Sequence, residues 1–141
     1  MAEALGQAGL AAEAGEVPVG AVLMVDGRII AAGFNRTLAD ADPTAHAEIV
    51  VLRQAASQLG NHRTGGRLYV TLEPCLMCMG AMVQARIDGL VFAARDPKAG
   101  AAVSLYSVAS DGRLNHRFEV SEGPGAEESV ALLRGFFESR R

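Results

Sequence analysis

The chain reads as an α/β protein, a three-layer α/β/α sandwich around a mixed sheet of about five strands. Three observations carry that expectation. Strand-length runs recur at residues 19–25, which is apolar and β-branched, at 67–72, which alternates, and at 89–94. Segments with apolar residues at helical spacing fall between them. Asp26-Gly27, a dipeptide that favours tight hairpins, joins two adjacent strand-like runs. Strand-helix-strand order implies parallel pairing with right-handed crossovers, whereas the hairpin adds an antiparallel pair, so the sheet is expected to be mixed.

Element by element, residues 2–14 have helix-forming, Ala-rich composition and stop at Gly15. Residues 19–25 and 28–33 form the two arms of the hairpin. Residues 35–44 are polar and broken by Asp40, Asp42 and Pro43, which makes them a loop. His46 opens a helix that continues through Ile49, Leu52, Ala56 and Leu59 to a stop near Gly60-Asn61. Residues 67–72 alternate as a strand and lead into Glu73-Pro74. Residues 75–85 form the next helix, with Pro74 expected at its first position, where a missing N–H costs nothing. A strand over 89–94 and a last helix over 126–139 complete the series. Residues 101–110 fit a helix or a strand equally well, and Gly112 follows as a turn. The helices that begin at His46 and Cys75 are expected to emerge at one sheet edge, from the carboxyl ends of neighbouring strands.

A length of 141 residues suits one domain spanning 1–141, with enough chain to bury a single core. Half of the residues are hydrophobic, yet no run approaches the roughly 18 apolar residues of a membrane span. No membrane association is expected. Residues 1–15 lack the basic start and apolar block of a secretory leader, and both cysteines lie in one Cys75/Cys78 pair, so a reducing cytoplasm is the expected compartment.

The net charge of −3 excludes a protein that grips nucleic acid by bulk electrostatics. The charge is unevenly spread, however. Residues 1–48 carry two basic and seven acidic groups, residues 49–118 eight and four, and residues 119–141 three and five. Twelve of the thirteen basic residues are Arg, the side chain best shaped for phosphate and for stacking on bases. An RNA partner is therefore compatible with the charge.

The chemistry is concentrated in His46-Ala47-Glu48 and Pro74-Cys75-Leu76-Met77-Cys78. One imidazole and two thiolates make three zinc ligands with no evident fourth, the arrangement of a catalytic site that keeps a position for water; structural sites close with four protein groups. Cys75 and Cys78 fall one turn apart near the positive end of a helix, which favours the thiolate form that binds metal. Glu48 is two residues beyond His46 and points away from the ligand set, free to move protons. Taken alone, Cys-x-x-Cys could equally be a redox pair and His46 a packed or capping residue.

This signature resembles that of the zinc-dependent nucleobase deaminases. Beyond it, nearly the whole chain resembles the bacterial tRNA-specific adenosine deaminases. The blocks that carry the likeness run from Glu16 to Val22, Asn35-Arg36, Asp42 to Glu48, Leu68 to Cys75, Met77-Cys78, Ala94 to Lys98, Asn115 to Arg117 and Leu132 to Phe137. The resemblance implies a cytidine deaminase-like fold and hydrolytic conversion of adenosine to inosine at the first anticodon position of tRNA, with release of ammonia. It implies one Zn²⁺ per chain held by His46, Cys75 and Cys78, with Glu48 as the catalytic proton carrier. It places Asn35 and Asp96 against the substrate, makes the tRNA anticodon stem-loop the partner, and implies a homodimer, to which apolar stretches around Met77, Met79 and Met82 could contribute. Arg95, Lys98 and Arg117 are candidate phosphate contacts. Val103 and Ala93 depart from the glycines common at those places, near the substrate-facing loop, which bears on substrate scope. The alternatives are a zinc deaminase of a free base or nucleoside, of guanine or cytosine type, and a non-catalytic zinc-stabilised module.

Overall fold

Alanine spacing decides how the first helix packs. The computed structural model describes residues 1–140; in it α1 spans Ala2–Glu13 and buries Ala4, Ala8 and Ala11 completely. Gly20, the first residue of β1 (Gly20–Val25), lies directly beneath: a Cβ there would collide with the Ala4 carbonyl and the Ala8 amide. Small side chains on both sides thus set a close helix–sheet contact. Asp26 and Gly27, both at positive φ (51° and 75°), turn the chain into β2 (Arg28–Phe34) through the expected hairpin.

The remaining elements are α2 (Ala47–Leu59), β3 (Arg67–Leu72), α3 (Leu76–Ala85), β4 (Gly89–Ala94), β5 (Glu119–Glu122) and α4 (Ala126–Glu138), with one short 3₁₀ turn at Val108–Ser110. The sheet order is β2-β1-β3-β4-β5. β1 is antiparallel to both β2 and β3, while β3–β4 and β4–β5 are parallel, so the sheet is mixed and five-stranded as expected. Helices α1 and α4 pack together on one face and α2 and α3 on the other. Between the layers lie Leu23, Leu68, Met79, Met82, Ile87, Leu90 and Phe92, all fully buried. Met79 and Met82 therefore belong to the chain's own core, and of the large apolar side chains in that stretch Leu76 and Met77 face outward.

Three expectations are corrected. The strands that feed α2 and α3 are not neighbours: β1 lies between β2 and β3, and because it opposes both, their carboxyl ends still share one edge. Pro74 is not the first helical residue; Cys75 is the N-cap of α3 and Pro74 precedes it, buried, with its carbonyl accepting the Ala101 N–H at 2.8 Å. Residues 101–104 form successive turns and no regular element, because the N–H groups of Ala102, Val103 and Ser104 donate to the Glu73 carboxylate and are unavailable to a helix or ladder.

Candidate active site

The caps of two helices meet at the shared sheet edge. His46 is the N-cap of α2, in extended conformation (φ −68°, ψ 156°), and Cys75 is the N-cap of α3 (φ −77°, ψ 175°). Cys78 lies three residues into α3 and is fully buried. The imidazole Nδ1 of His46 stands 3.6 Å from Cys75 Sγ and 3.5 Å from Cys78 Sγ, and the three candidate ligand atoms all lie within 4.8 Å of one another. Tetrahedral zinc with bonds of about 2.1 Å to nitrogen and 2.3 Å to sulfur needs an N···S separation of about 3.6 Å. The donor set and its spacing fit that ion, and no fourth His, Cys or carboxylate joins the group among the described residues.

The two thiols are polarised in opposite directions. A hydrogen bond from Cys78 brings Cys75 down to about 4, with burial opposing it and His46 assisting. The same contact, then burial, pushes the Cys78 thiol up. The hydrogen bond to Cys75 also raises the His46 imidazole, against burial.

Glu48 sits in the first turn of α2 and is only 3% exposed. Burial raises its carboxyl above the usual carboxylate range, with the Cys78 thiol and His46 partly offsetting the effect. A cavity of about 250 Å³ opens in front of it, lined by Val17, Val19, Asn35, Thr37, His46, Glu48, Leu72, Glu73, Cys75, Asp96 and Ala99 among others. That volume holds one planar ring system and little more.

Both expected substrate-facing residues line this cavity. Asn35 is buried, follows β2, donates its backbone N–H to the Val19 carbonyl at 3.1 Å and lies near Thr37, with Nδ2 to Oγ1 at 3.4 Å. Asp96 is partly committed to its own turn, since Oδ1 accepts the N–H groups of Lys98 (3.0 Å) and Ala99 (3.2 Å). The candidate phosphate contacts differ among themselves. Arg95 makes a two-pronged ion pair with Glu122 (2.9 and 2.7 Å), Arg117 reaches the Gly112 carbonyl at 3.4 Å, and Lys98 is exposed.

Two residues at the site escape a reading from sequence. Glu16 is buried and accepts the N–H groups of Leu38 and Ala39, which holds the loop after Asn35. Glu73 is buried beside the cavity and accepts from residues 96 to 104. The only signal either offers is a carboxylate next to an apolar strand.

The chain matches the family of MafB19-like deaminases over residues 1–141. It is 50% identical over 129 residues to the tRNA-specific adenosine deaminase of Haemophilus influenzae, covering 90% of this chain and 75% of that one. A solved structure from work on A-to-I editing by tRNA:A34 deaminases at the wobble position is 48% identical, with a TM-score of 0.91 over 94% of this chain and 97% of its own. A guanine deaminase from Nitrosomonas europaea is more distant, at 28% identity and a TM-score of 0.82 over 96% of this chain and 81% of its own.

Proposed function

The chain belongs to the MafB19-like deaminases and, within them, sides with the tRNA-specific adenosine deaminases; on that premise we propose that it converts adenosine to inosine at the first anticodon position of tRNA, releasing ammonia. The observation that carries the reading is the position of Glu48, buried at the head of a base-sized cavity whose wall also presents His46 and Cys75. His46, Cys75 and Cys78 would hold one zinc ion. When bound there, zinc supplies Lewis-acid activation of water close to neutral pH.

The residues of the chain do the rest. Glu48 takes a proton from the attacking water and delivers it to ring nitrogen 1 as the C6–O bond forms. It then carries the second proton to the exocyclic amine, the C6–N bond breaks, and ammonia leaves with inosine as product. Burial suits Glu48 to this shuttle, because a carboxyl raised above its ordinary value holds a proton more readily between the two transfers. Asn35 and Asp96, which both line the cavity, would contact the base or its sugar. A base must leave its stack to reach this depth, which costs least in a loop, so an anticodon stem-loop is the natural partner.

The whole of residues 1–141 works as one deaminase domain in the cytoplasm; among the described residues no helix is long and apolar enough to cross a membrane. Two copies pair through the face formed by α2 and α3, where Leu76 and Met77 are exposed and a groove is lined by Ile49, Leu52, Ala56, Ala81 and Ala85 together with Arg53, His62 and Gln84. A second reading, deamination of free guanine or a related base, is favoured by the guanine deaminase likeness and the acidic net charge. The deciding experiment offers the zinc-loaded protein an RNA hairpin with an ACG anticodon, the same hairpin with the adenosine moved one position, and free adenosine, guanine and cytosine. Inosine from the first hairpin alone is expected; conversion of a free base instead would overturn the RNA substrate and retain the chemistry.

A further inference from the structure

Glu73 is a buried carboxylate lining the cavity for which the reaction above has no use. It is 2% exposed, yet five donors converge on it: the N–H groups of Asp96 (3.0 Å), Ala102 (3.2 Å), Val103 (2.9 Å) and Ser104 (2.9 Å), and the Ser104 hydroxyl. Every one of them belongs to the loop of residues 96–104, and Asp96 and Ala99 of that loop line the cavity together with Glu73 itself. The loop wraps so closely that Gly100 has no room for a side chain, since any Cβ would run into the Glu73 carboxylate. At its other end the loop is fixed by Asp96, whose Oδ1 caps the turn at Lys98 and Ala99. Without Glu73, four backbone N–H groups would face an apolar interior or open to water, and the loop could not keep this shape.

Resting on the deaminase reading above, we propose that Glu73 is a positioning residue that holds residues 96–104 as a preformed wall of the base cavity and thereby sets how tightly the RNA is held. Its contribution is to substrate affinity through preorganisation, because a loop already ordered before binding loses no freedom when the base enters. Glu73 makes no contact with the reacting atoms. Its side chain is wholly engaged by donors from the loop, which separates its role from that of Glu48.

The test compares zinc-loaded wild type with Glu73→Gln and Gly100→Ala. The amide introduced by Glu73→Gln retains one acceptor oxygen but turns a donor toward groups that are themselves donors. Gly100→Ala disturbs the same contact from the loop side and leaves the residues next to Cys75 untouched. Expected are faster amide exchange at residues 96 and 102–104, a KM for the hairpin raised at least about tenfold in both variants, a smaller fall in kcat, and one zinc per chain. Wild-type exchange and KM in both variants would overturn the proposal. So would an unchanged KM with a lowered kcat, or loss of zinc in both variants, each of which would assign Glu73 to the metal face. Failure of the wild type to convert the hairpin would count against the deaminase reading alone, and amide exchange would still decide whether Glu73 orders the loop.

Discussion

Replacing Glu48 by Gln removes one ionisable proton from the site and almost no volume. Glu48 handles both proton transfers in the proposed reaction, and no neighbour is placed to inherit them. Of the other carboxylates lining the cavity, Glu73 has both oxygens occupied by five donors and Asp96 has Oδ1 occupied by two N–H groups. General acid–base groups contribute about 10²–10⁴-fold, and the lack of a substitute puts Glu48 at the upper end. A loss of about 10³–10⁴-fold in the chemical step corresponds to about 4–5.5 kcal/mol of barrier. The assay is single-turnover inosine formation on the hairpin, which isolates chemistry from product release, with bound zinc measured on the same sample. A second readout follows from the sign of the pKa shift. A carboxyl raised by burial makes the zinc-free wild type lose stability as pH rises from the ordinary carboxylate range through the raised value, whereas Glu48→Gln has no such loss. The variant is therefore expected to melt higher than wild type at neutral pH, both zinc-free, while turning over far more slowly. Single-turnover rates within about tenfold of wild type would refute the proton-shuttle role.

Cys78→Ser is expected to reduce bound zinc well below one per chain, by metal analysis after gel filtration; stoichiometric tight zinc would contradict its role as a ligand. In zinc-free protein at pH 6.5, iodoacetamide should modify Cys75 and spare Cys78, since the first thiol is lowered to about 4 and the second is raised and fully buried; equal labelling would disprove that polarity. Gly20→Ala should lower stability by about 1–3 kcal/mol through overpacking against α1, read by denaturant midpoint, and an unchanged midpoint would show that α1 can retreat from the sheet. Glu16→Gln keeps one acceptor for the Leu38 and Ala39 amides, so amide exchange there should rise only modestly; strong loosening would mean that the second oxygen carries most of the hold on that loop.

The parts of the fold that are legible in the sequence are those governed by local pattern. Asp26-Gly27 dictates its turn, Ala-rich composition marks α1, alternation marks β3, and a short continuous apolar run marks β4. Convergence of His46, Cys75 and Cys78 is legible for a related reason: both helix caps follow strands that point the same way, so a short motif fixes each end of the contact. β5 is harder to see, because Glu-Val-Ser-Glu is a polar edge strand with one inward residue and gains its identity from pairing with β4. Residues 101–104 are illegible for a deeper reason. Their conformation is set by a carboxylate about thirty positions earlier, and no window of sequence contains both the donors and the acceptor.

Two glutamates of nearly equal burial show why the role of each follows from its partners. Glu48 and Glu73 are 3% and 2% exposed and line the same cavity. Around Glu48 burial dominates and lifts the carboxyl; around Glu73 burial also pushes upward, but hydrogen bonds from Ser104, Val103 and Asp96 outweigh it and leave the carboxyl below its usual range. A carboxyl raised by burial holds and returns a proton more readily, and one held as an anion by a ring of donors cannot do so without releasing them. Separation of two carboxyls in this way divides labour within a single cavity, one for proton transfer and one for architecture. Exchanging their environments would abolish both roles: a loop that donated to Glu48 would lower its pKa and slow the shuttle, and a Glu73 stripped of donors would take up a proton and let the wall open.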